Sequence, residues 1–368
     1  MAVRIGVPRE TDAREQRVAV VPDGVRALVR GGATVVVERG AGARAYYADA
    51  LYEKAGATLA DGAAAVYDGA DVVAKVQRPA PPEIAHLRRG TLLISLMAPA
   101  SNPETVRALL DAGVTALALE LVPRITRAQS MDVLSSQSTV AGYKAVLIAA
   151  DALPRLLPMM TTAAGSLAPA KTFVLGAGVA GLQAIATARR LGAIVSAFDV
   201  RAAAREQVAS LGASFVAAES VNPDGETAGG YAREQSHEQQ QRIAAAIGGH
   251  IADMDIVIST AQIPGRPAPR LISAEMVYTM RPGSVIVDLA AEAGGNCELT
   301  RPGETVEVGG VRVIGPLNVP SMLPYHASQM FSKNVVTLLQ HLIKDNALAV
   351  DMTDEITKAM AVTNGASA

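Results

Sequence analysis

The segment from Lys171 to Asp199 constrains the fold of this chain more than any other. In chain order it predicts a strand (Thr172–Leu175), a glycine turn, a helix (Ala180–Leu191), a second strand (Ala193–Phe198) and a terminal acid (Asp199). Strand, helix and strand in this order form a βαβ unit, whose two strands lie parallel in one sheet. The segment therefore predicts an α/β domain built around a parallel sheet.

The Gly-x-Gly-x-x-Gly turn at the first junction predicts a dinucleotide site. Gly176 permits the tight turn, Gly178 lets the backbone approach a pyrophosphate, and Gly181 lets the helix pack closely on the sheet. The helix N-terminus offers free N–H groups to the phosphates. The candidate residues here are Gly176, Ala177, Gly178, Val179, Gly181, Asp199, Val200 and Arg201. A glycine turn without a ligand is the alternative, which the matching strand, helix and acid disfavour.

The acid at the end of the second strand predicts the choice of nucleotide. Asp199 can accept hydrogen bonds from both hydroxyls of an adenosine ribose, and its charge repels the 2′-phosphate of NADP. We therefore expect NAD as the cofactor. Arg201 leaves open how strict that preference is.

Length and alternation predict two domains. A chain of 368 residues exceeds one ordinary domain. Strand-like and helix-like stretches alternate through residues 3–120, which indicates a first α/β domain without a glycine turn of its own. We expect that domain to comprise residues 1–137 and 319–368, and residues 138–318 to form the nucleotide-binding domain. The expected fold class is α/β, with two Rossmann-like domains of parallel sheets, joined by long helices, and a nucleotide crevice between them.

Composition excludes several classes of protein. The 33 basic and 35 acidic residues give a net charge of −2, which does not suggest nucleic-acid binding. Cys297 is the one cysteine, so no intramolecular disulfide forms, and a reducing compartment is expected. The N-terminus lacks the features of a signal peptide, and no run of about 18 apolar residues predicts a membrane span. The five histidines show no metal-ligand spacing.

Three further strands are expected in the nucleotide domain. Asp255–Ser259 precedes Thr260, Ala261 and Gln262, which we expect at the cofactor, and Ser284–Val287 precedes Asp288. Val311–Ile314 is expected to close the sheet. After it, Ala327–Ile343 is expected to be a helix that packs on the first domain, followed by a loose polar tail beyond Asn346.

A polar loop before a long helix is the second candidate site. Residues 121–140 contain Arg124, Gln129, Asp132 and Ser135, whose side chains could line a ligand crevice. The equal alternative is an ordinary loop in which Ser135 or Ser138 caps a helix from Ser138 to Leu157.

A long polar stretch interrupts the nucleotide domain at residues 219–241. Gly229 and Gly230 supply a hinge beside Tyr231, so we interpret the stretch as a mobile lid, with a disordered insertion as the alternative.

Two cations of the first half invite a functional interpretation. Arg17 follows a polar loop, and Lys75 lies at the end of an apolar strand, where α/β proteins bind ligands. From spacing alone, a solvated charge at the rim of the sheet is the favoured interpretation of both.

The chain as a whole resembles the NAD(H)-binding component of proton-translocating NAD(P) transhydrogenases, which shares its fold with alanine dehydrogenase. The resemblance runs from RIGVPRE and QRVAVVP to IVDLAAEAGGNCE and the C-terminal helix. Its most specific segments are PRITRAQSMDVLSSQSTVAGYKAV, GAGVAGLQAIATARRLGA and ETAGGYARE.

The resemblance implies a mechanism and a set of roles. Arg124, Asp132 and Ser135 would orient the nicotinamide of NADH, Gln129 would align it with NADP⁺ on a partner domain, and Tyr231 would belong to the closing lid. Hydride would pass directly between the two rings, without an acid or base. The implied assembly is a homodimer with NADP(H)-binding and membrane-spanning subunits, placed on the cytoplasmic face of the inner membrane.

Two other functions stay open at this point. Alanine dehydrogenases keep an arginine and a lysine, matched by Arg17 and Lys75, and a catalytic histidine that LLISLMAPAS lacks here. The missing histidine disfavours an amino-acid dehydrogenase and makes Arg17 and Lys75 structural remnants that support the nearby loop. A non-catalytic NAD-binding regulator is the third possibility.

Overall fold

The computed structural model describes residues 2–216, 237–263 and 265–365. The chain forms two compact units, one from residues 1–137 and 320–368 and the other from residues 138–319.

Strands and helices alternate from the start of the chain. The elements up to the sixth helix are β1 (Arg4–Val7), α1 (Pro22–Arg30), β2 (Thr34–Glu38), α2 (Asp49–Ala55), β3 (Thr58–Ala60), α3 (Ala63–Tyr67), β4 (Val72–Ala74), α4 (Pro81–Ile84), β5 (Leu92–Ser95), α5 (Pro103–Asp111), β6 (Thr115–Ala118) and α6 (Val133–Ala152). The middle of the chain contains β7 (Met160–Thr162), β8 (Gly165–Leu167), β9 (Lys171–Leu175), α7 (Val179–Arg190), β10 (Ile194–Phe198), α8 (Ala204–Ser210), β11 (Ser214–Phe215), α9 (His237–Ile251), β12 (Ile256–Ser259), α10 (Ala274–Thr279), β13 (Val285–Asp288), β14 (Thr305–Val308) and β15 (Val311–Ile314). The last elements are α11 (Pro324–Leu342), β16 (Ile343–Lys344), β17 (Ala347–Leu348), α12 (Glu355–Met360) and β18 (Ala361–Thr363).

The first unit is built on a seven-stranded sheet of order β18-β6-β5-β4-β1-β2-β3. Its strands are short apolar runs such as Val35–Val37, which are buried because helices cover both faces of a parallel sheet. One strand, β18, pairs antiparallel with β6. Helix α11 contributes Phe331 and Leu338 to the core of this unit, and α12 adds Ile356 and Met360. The expected position of the C-terminal helix is thus confirmed, whereas the expectation of a loose tail beyond Asn346 is wrong.

The second unit contains a sheet of order β11-β10-β9-β12-β13-β15-β14. Six of its strands are parallel, and β14 pairs antiparallel with β15, so β15 does not close the sheet as expected. The order reverses at β9, where β10 lies on one side and β12 on the other. Leu175 is paired with Phe198 and with Ser259, so the carboxyl ends of these three strands lie side by side. In open α/β sheets, ligands bind at such a reversal point.

Candidate functional site

The glycine turn between β9 and α7 requires glycine at two of its positions. Gly176 has a φ of 92°, and its N–H donates to the carbonyl of Phe198 at 2.8 Å. A Cβ on Gly181 would lie 1.8 Å from the carbonyl oxygen of Gly176, so no side chain fits there. Gly178 has extended backbone at the N-terminus of α7, and a Cβ added there would approach Nη2 of Arg201 at 4.0 Å. The backbone at Gly178 is thus open to a ligand, while Gly181 is closed by close packing.

Asp199 follows β10 at the same edge of the sheet and is 6% exposed. Its Oδ2 accepts hydrogen bonds from the N–H of Ala177 at 2.7 Å and from Nη2 of Arg201 at 2.8 Å. Its Oδ1 accepts from the N–H and from Nε of Arg201, both at 2.9 Å. The carboxylate is therefore bound to the glycine turn and to a neighbouring cation. Of the other predicted residues, Val179 is exposed and Val200 half-buried.

The residues after β12 meet the glycine turn, as the sequence predicted for Thr260. The N–H of Thr260 donates to the carbonyl of Leu175 at 2.8 Å, and its Oγ1 donates to the carbonyl of Gly176 at 3.0 Å. The side-chain amide of Gln262 donates to the carbonyl of Leu289 at 2.8 Å. The segment from Thr260 is thus fastened to the strand ends on both sides.

Asn296 fixes the next residue, Ala261, from both sides of its main chain. Its Oδ1 accepts from the N–H of Ala261 at 3.1 Å, and its Nδ2 donates to the carbonyl of Ala261 at 2.8 Å. The same Nδ2 donates to the carbonyl of Pro269 at 2.8 Å. Asn296 is fully buried, so it acts by positioning this peptide.

Asp288 in turn holds the loop that carries Asn296. Its fully buried carboxylate accepts hydrogen bonds from Ser259 Oγ, Ala290 N, Asn296 N, Cys297 N and Thr300 Oγ1. Sequence reasoning placed Asp288 at the end of a strand but gave it no role, and it did not select Asn296. An acid after an apolar run and an asparagine after two glycines were the available signals, but they do not reveal which donors the loop brings back.

The polar loop of the first unit contains the four predicted residues in two environments. Arg124 and Gln129 are exposed, and Gln129 lies in a 3₁₀ helix, Thr126–Met131. Asp132 and Ser135 are half-buried and contact each other.

Asp132 begins helix α6 and caps it. Its Oδ1 accepts from the N–H of Ser135 at 2.9 Å, and its Oδ2 accepts from Ser135 Oγ at 2.6 Å. A side chain that accepts from the third residue of a helix is an N-cap. The expected helix start at Ser138 is therefore five residues late, and the cap is neither Ser135 nor Ser138.

A chain of side-chain hydrogen bonds fastens this loop to the rest of its unit. Asn334 Nδ2 donates to the carbonyl of Ser130 at 2.8 Å, and its Oδ1 accepts from Ser136 Oγ at 2.7 Å. Gln137 Nε2 donates to Ser136 Oγ at 3.2 Å, and Gln137 Oε1 accepts from Nη1 of Arg17 at 2.8 Å. The sequence interpretation of Arg17 as a support of the loop agrees with this path.

Arg17 is not a solvated cation at the rim of the sheet. It is 3% exposed and forms a bidentate ion pair with Glu15, with Nε–Oε1 at 2.8 Å and Nη2–Oε2 at 2.7 Å. Burial alone would raise the pKa of Glu15, but the hydrogen bonds and charge of Arg17 outweigh it and lower the pKa to about 2.

Lys75 is buried as well, so the rim interpretation is wrong for both cations. Its Nζ lies 2.7 Å from Oε1 of Glu83 and 3.6 Å from Oε2 of Glu10. The hydroxyl of Tyr67 donates to Glu83 at 3.0 Å. Burial raises the pKa of Glu10 to about 7, although Lys75 and the N–H of Val76 act against the shift. Three buried carboxylates therefore surround two buried cations.

Comparison with known proteins gives the family. The description "Alanine dehydrogenase/PNT, N-terminal domain" matches residues 6–141, and "Alanine dehydrogenase/PNT, C-terminal domain" matches residues 145–367. The chain belongs to the alanine dehydrogenase/PNT family.

Within this family the chain is similar to transhydrogenase chains over its whole length. It is 48% identical to the first portion of the divided NAD(P) transhydrogenase subunit alpha of Rhodospirillum rubrum, over 98% of this chain and 96% of that one. The crystal structure of transhydrogenase from Sinorhizobium meliloti superposes with a TM-score of 0.90 at 52% identity, covering 98% of this chain and 99% of that one. The alanine dehydrogenase of Bacillus subtilis is 33% identical, over 87% of this chain and 80% of that one. The resemblance and the fold class inferred from sequence are thus confirmed.

Membership of the alanine dehydrogenase/PNT family implies NAD(H) binding, and the second unit of this member fits that ligand. The backbone at Gly178 is open, and no side chain of the described residues caps the start of α7, so its first N–H groups are available to phosphates. Asp199 lies beside the turn, held there by the N–H of Ala177, at the strand end where such folds bind a ribose.

Some expectations concern residues that the structure does not describe or features that it bears on only in part. Tyr231 and the rest of the proposed lid up to residue 236 lie outside the described residues, whereas the lid's last residues, from His237, begin α9. Within the described ranges, no three His, Cys, Asp or Glu side chains cluster as metal ligands would. Burial raises the pKa of the Cys297 thiol to about 11. No helix in the described part of the chain combines the length and apolar character that crossing a membrane requires.

Proposed function

We propose that this chain is the NAD(H)-binding component of a proton-translocating transhydrogenase. It transfers hydride directly from NADH to NADP⁺ that is bound on a partner domain, and a membrane partner couples the transfer to proton movement. The observation that carries the proposal is the convergence of Gly176, Asp199 and Thr260 at one sheet edge, in a chain that is 48% identical to a transhydrogenase alpha subunit.

In this proposal the second unit binds the nucleotide. The amide groups at the start of α7 bind the pyrophosphate, and Gly178 allows it to approach the backbone. Asp199 accepts hydrogen bonds from the adenosine ribose. The peptide of Ala261, fixed by Asn296, presents a rigid surface at the end of β12.

The polar loop of the first unit supplies orientation. When bound, NADH supplies the hydride, and a hydride passed between two nicotinamides releases no proton in the chemical step. The residues of the loop therefore need only hold the ring in place. The mutual hydrogen bonds of Asp132 and Ser135 hold two of these side chains in fixed rotamers. Exposed Arg124 and Gln129 are placed to contact a ring and a partner domain.

The alternative, an amino-acid dehydrogenase of the alanine type, has less support. Such an enzyme needs cations that bind the substrate carboxylate, and the candidates Arg17 and Lys75 are each paired with a buried glutamate. It also needs a general acid or base, and residues 92–101 contain no histidine.

The proposed assembly follows from the same relatives. We propose a homodimer that associates with separate NADP(H)-binding and membrane-spanning subunits, and a peripheral position on the cytoplasmic face of the inner membrane. The relative from Rhodospirillum rubrum is named as one portion of a divided alpha subunit, which supports the existence of further portions.

The test is an isotope-transfer assay with purified chain, deuterium-labelled NADH and NADP⁺. Half of the samples also receive the soluble NADP-binding domain or membranes from the same cell. We expect label in NADPH when the partner is present and none when it is absent. Failure to transfer with a partner shown to be active would overturn the proposal, and reduction of NAD⁺ by L-alanine would then favour the alternative.

A further inference from the structure

The carboxylate of Asp199 has no acceptor site left for a ligand. An ionised carboxylate offers about four lone-pair positions. Oδ1 accepts from the N–H and Nε of Arg201, and Oδ2 accepts from the N–H of Ala177 and from Nη2 of Arg201. Three of the four donors therefore belong to one residue, and two of these lie on its side chain.

A ribose that binds through both hydroxyls needs one acceptor position on each carboxylate oxygen. The N–H groups of Ala177 and Arg201 belong to the main chain of the turn and the strand end, so they cannot leave without refolding this edge. The guanidinium occupies one position on each oxygen and lies on a side chain that can rotate. It is therefore the group that a ribose must displace.

We propose that Arg201 and Asp199 form a latch, a side-chain ion pair that closes the adenosine end of the nucleotide site and opens when a ribose takes the guanidinium's place. This inference rests on the proposed function, because it needs the glycine turn to bind NAD(H). It adds a residue that lowers the affinity for NADH.

The displaced guanidinium also determines selectivity. In the closed latch, Nη2 lies 4.0 Å from the position of a Cβ on Gly178, so the charge lies at the mouth of the phosphate turn. Once released, it remains within reach of the ribose edge and can pair with a 2′-phosphate that Asp199 repels. Arg201 therefore weakens binding of NADH and strengthens that of NADPH, which narrows the difference between them.

The experiment compares binding of NADH and NADPH to the full chain and its variants by calorimetry and stopped-flow fluorescence. Arg201→Gln removes the guanidinium, and Arg201→Lys keeps the charge but cannot form the two-pronged pair. Arg205→Gln is the matched control, because Arg205 is an exposed cation nearby that packs on Phe215 and not on Asp199.

We expect Arg201→Gln to bind NADH about three- to tenfold more tightly and NADPH more weakly, as removal of one charge-assisted pair predicts. The gain should appear in the association rate constant, because a step that precedes binding has been removed. Arg201→Lys should also bind NADH more tightly but keep its NADPH affinity, and Arg205→Gln should change neither.

Equal weakening of NADH and NADPH binding by Arg201→Gln and Arg201→Lys would overturn the latch, because Arg201 would then be an ordinary nucleotide ligand. If Arg201→Gln is unfolded in a thermal denaturation experiment, Arg201→Lys decides. Absence of nucleotide binding to the unaltered chain would overturn the proposed function, and the latch with it.

Discussion

The Nζ atom of Lys75 lies 2.7 Å from Oε1 of Glu83, and neither side chain is more than 7% exposed. Both residues belong to the first unit, and Glu83 also accepts from Tyr67. The position that a substrate carboxylate would take beside this ammonium is thus filled by the chain itself. The pair has become part of the interior of the unit.

Loss of Lys75 is expected to destabilise the protein strongly. Lys75→Met leaves Glu83 and Glu10 buried without their cation, which should lower the free energy of unfolding by about 3–5 kcal/mol in urea denaturation. The double variant Lys75→Met/Glu83→Gln should recover part of this loss. Arg26→Met, which breaks an exposed pair with Asp23, is the control and should cost less than about 1 kcal/mol. Similar losses for the two single variants would contradict a buried pair.

Glu10 is expected to make stability depend on pH. The unfolded chain releases this proton near pH 4.5, and the folded chain keeps it until about pH 7. The folded chain therefore binds more protons in this interval, and the free energy of unfolding falls by about 3 kcal/mol as the pH rises through it. Glu10→Gln cannot titrate, so its stability should vary less between pH 4.5 and 7. An unchanged pH profile for the variant would assign the titration to another group.

Asp199→Ala is expected to weaken NADH binding by about tenfold or more and to narrow the difference from NADPH. The variant removes the acceptor of the ribose hydroxyls and the charge that repels a 2′-phosphate. Asp253→Ala, which removes an exposed acid paired with Arg281, is the control. An unchanged ratio of the two dissociation constants would show that Asp199 is not the ribose acceptor.

Gln129→Ala is expected to leave NADH binding within about twofold and to slow hydride transfer by about tenfold or more. The side chain is exposed on the 3₁₀ helix, so its removal should disturb the alignment of two rings rather than the fold. Single-turnover transfer to NADP⁺ on the partner domain and calorimetric binding of NADH separate the two effects. Equal losses in both would make Gln129 a simple cofactor ligand.

Asn334→Leu is expected to slow hydride transfer more than it weakens NADH binding. Asn334 holds the carbonyl of Ser130 and the hydroxyl of Ser136, so an apolar side chain of similar size frees the loop on both sides of Asp132. We expect about a tenfold lower transfer rate. Thr337→Val on the same helix is the control, because that hydroxyl bonds within its own helix to Lys333. If both variants transfer at the wild-type rate, the loop does not depend on Asn334.

The features that sequence reasoning recovered were local in the chain. The glycine turn, α7 and the acid after β10 lie within 29 consecutive residues, and strand ends in a βαβ sheet must meet at one edge. The position of Thr260 followed from that rule. Helix α6 was recognised with a late start, because Asp132 was considered as a ligand and the serines after it as caps.

The features that it missed depend on contacts between distant residues. The pairing of Lys75 with Glu83 depends on a turn between β4 and α4 that no short pattern encodes. The role of Asn296 depends on its loop returning to Ala261, 35 positions earlier. A polar tail was expected to be loose, but Ile356 and Met360 recur four residues apart and are buried in the core.

The discontinuity of the first unit determines the order in which the protein can fold on the ribosome. Residues 138–319 emerge complete while the first unit still lacks α11, α12 and β18, which come from residues 320–368. Domains fold as units during synthesis, so the second unit can fold before the first, although it comes later in the chain. Until Ala361 emerges to pair with Leu117, β6 remains an unprotected edge strand that can pair with other chains. Strand β18, which emerges after all the other strands of its sheet, therefore closes the edge that would otherwise lead the nascent chain to aggregate.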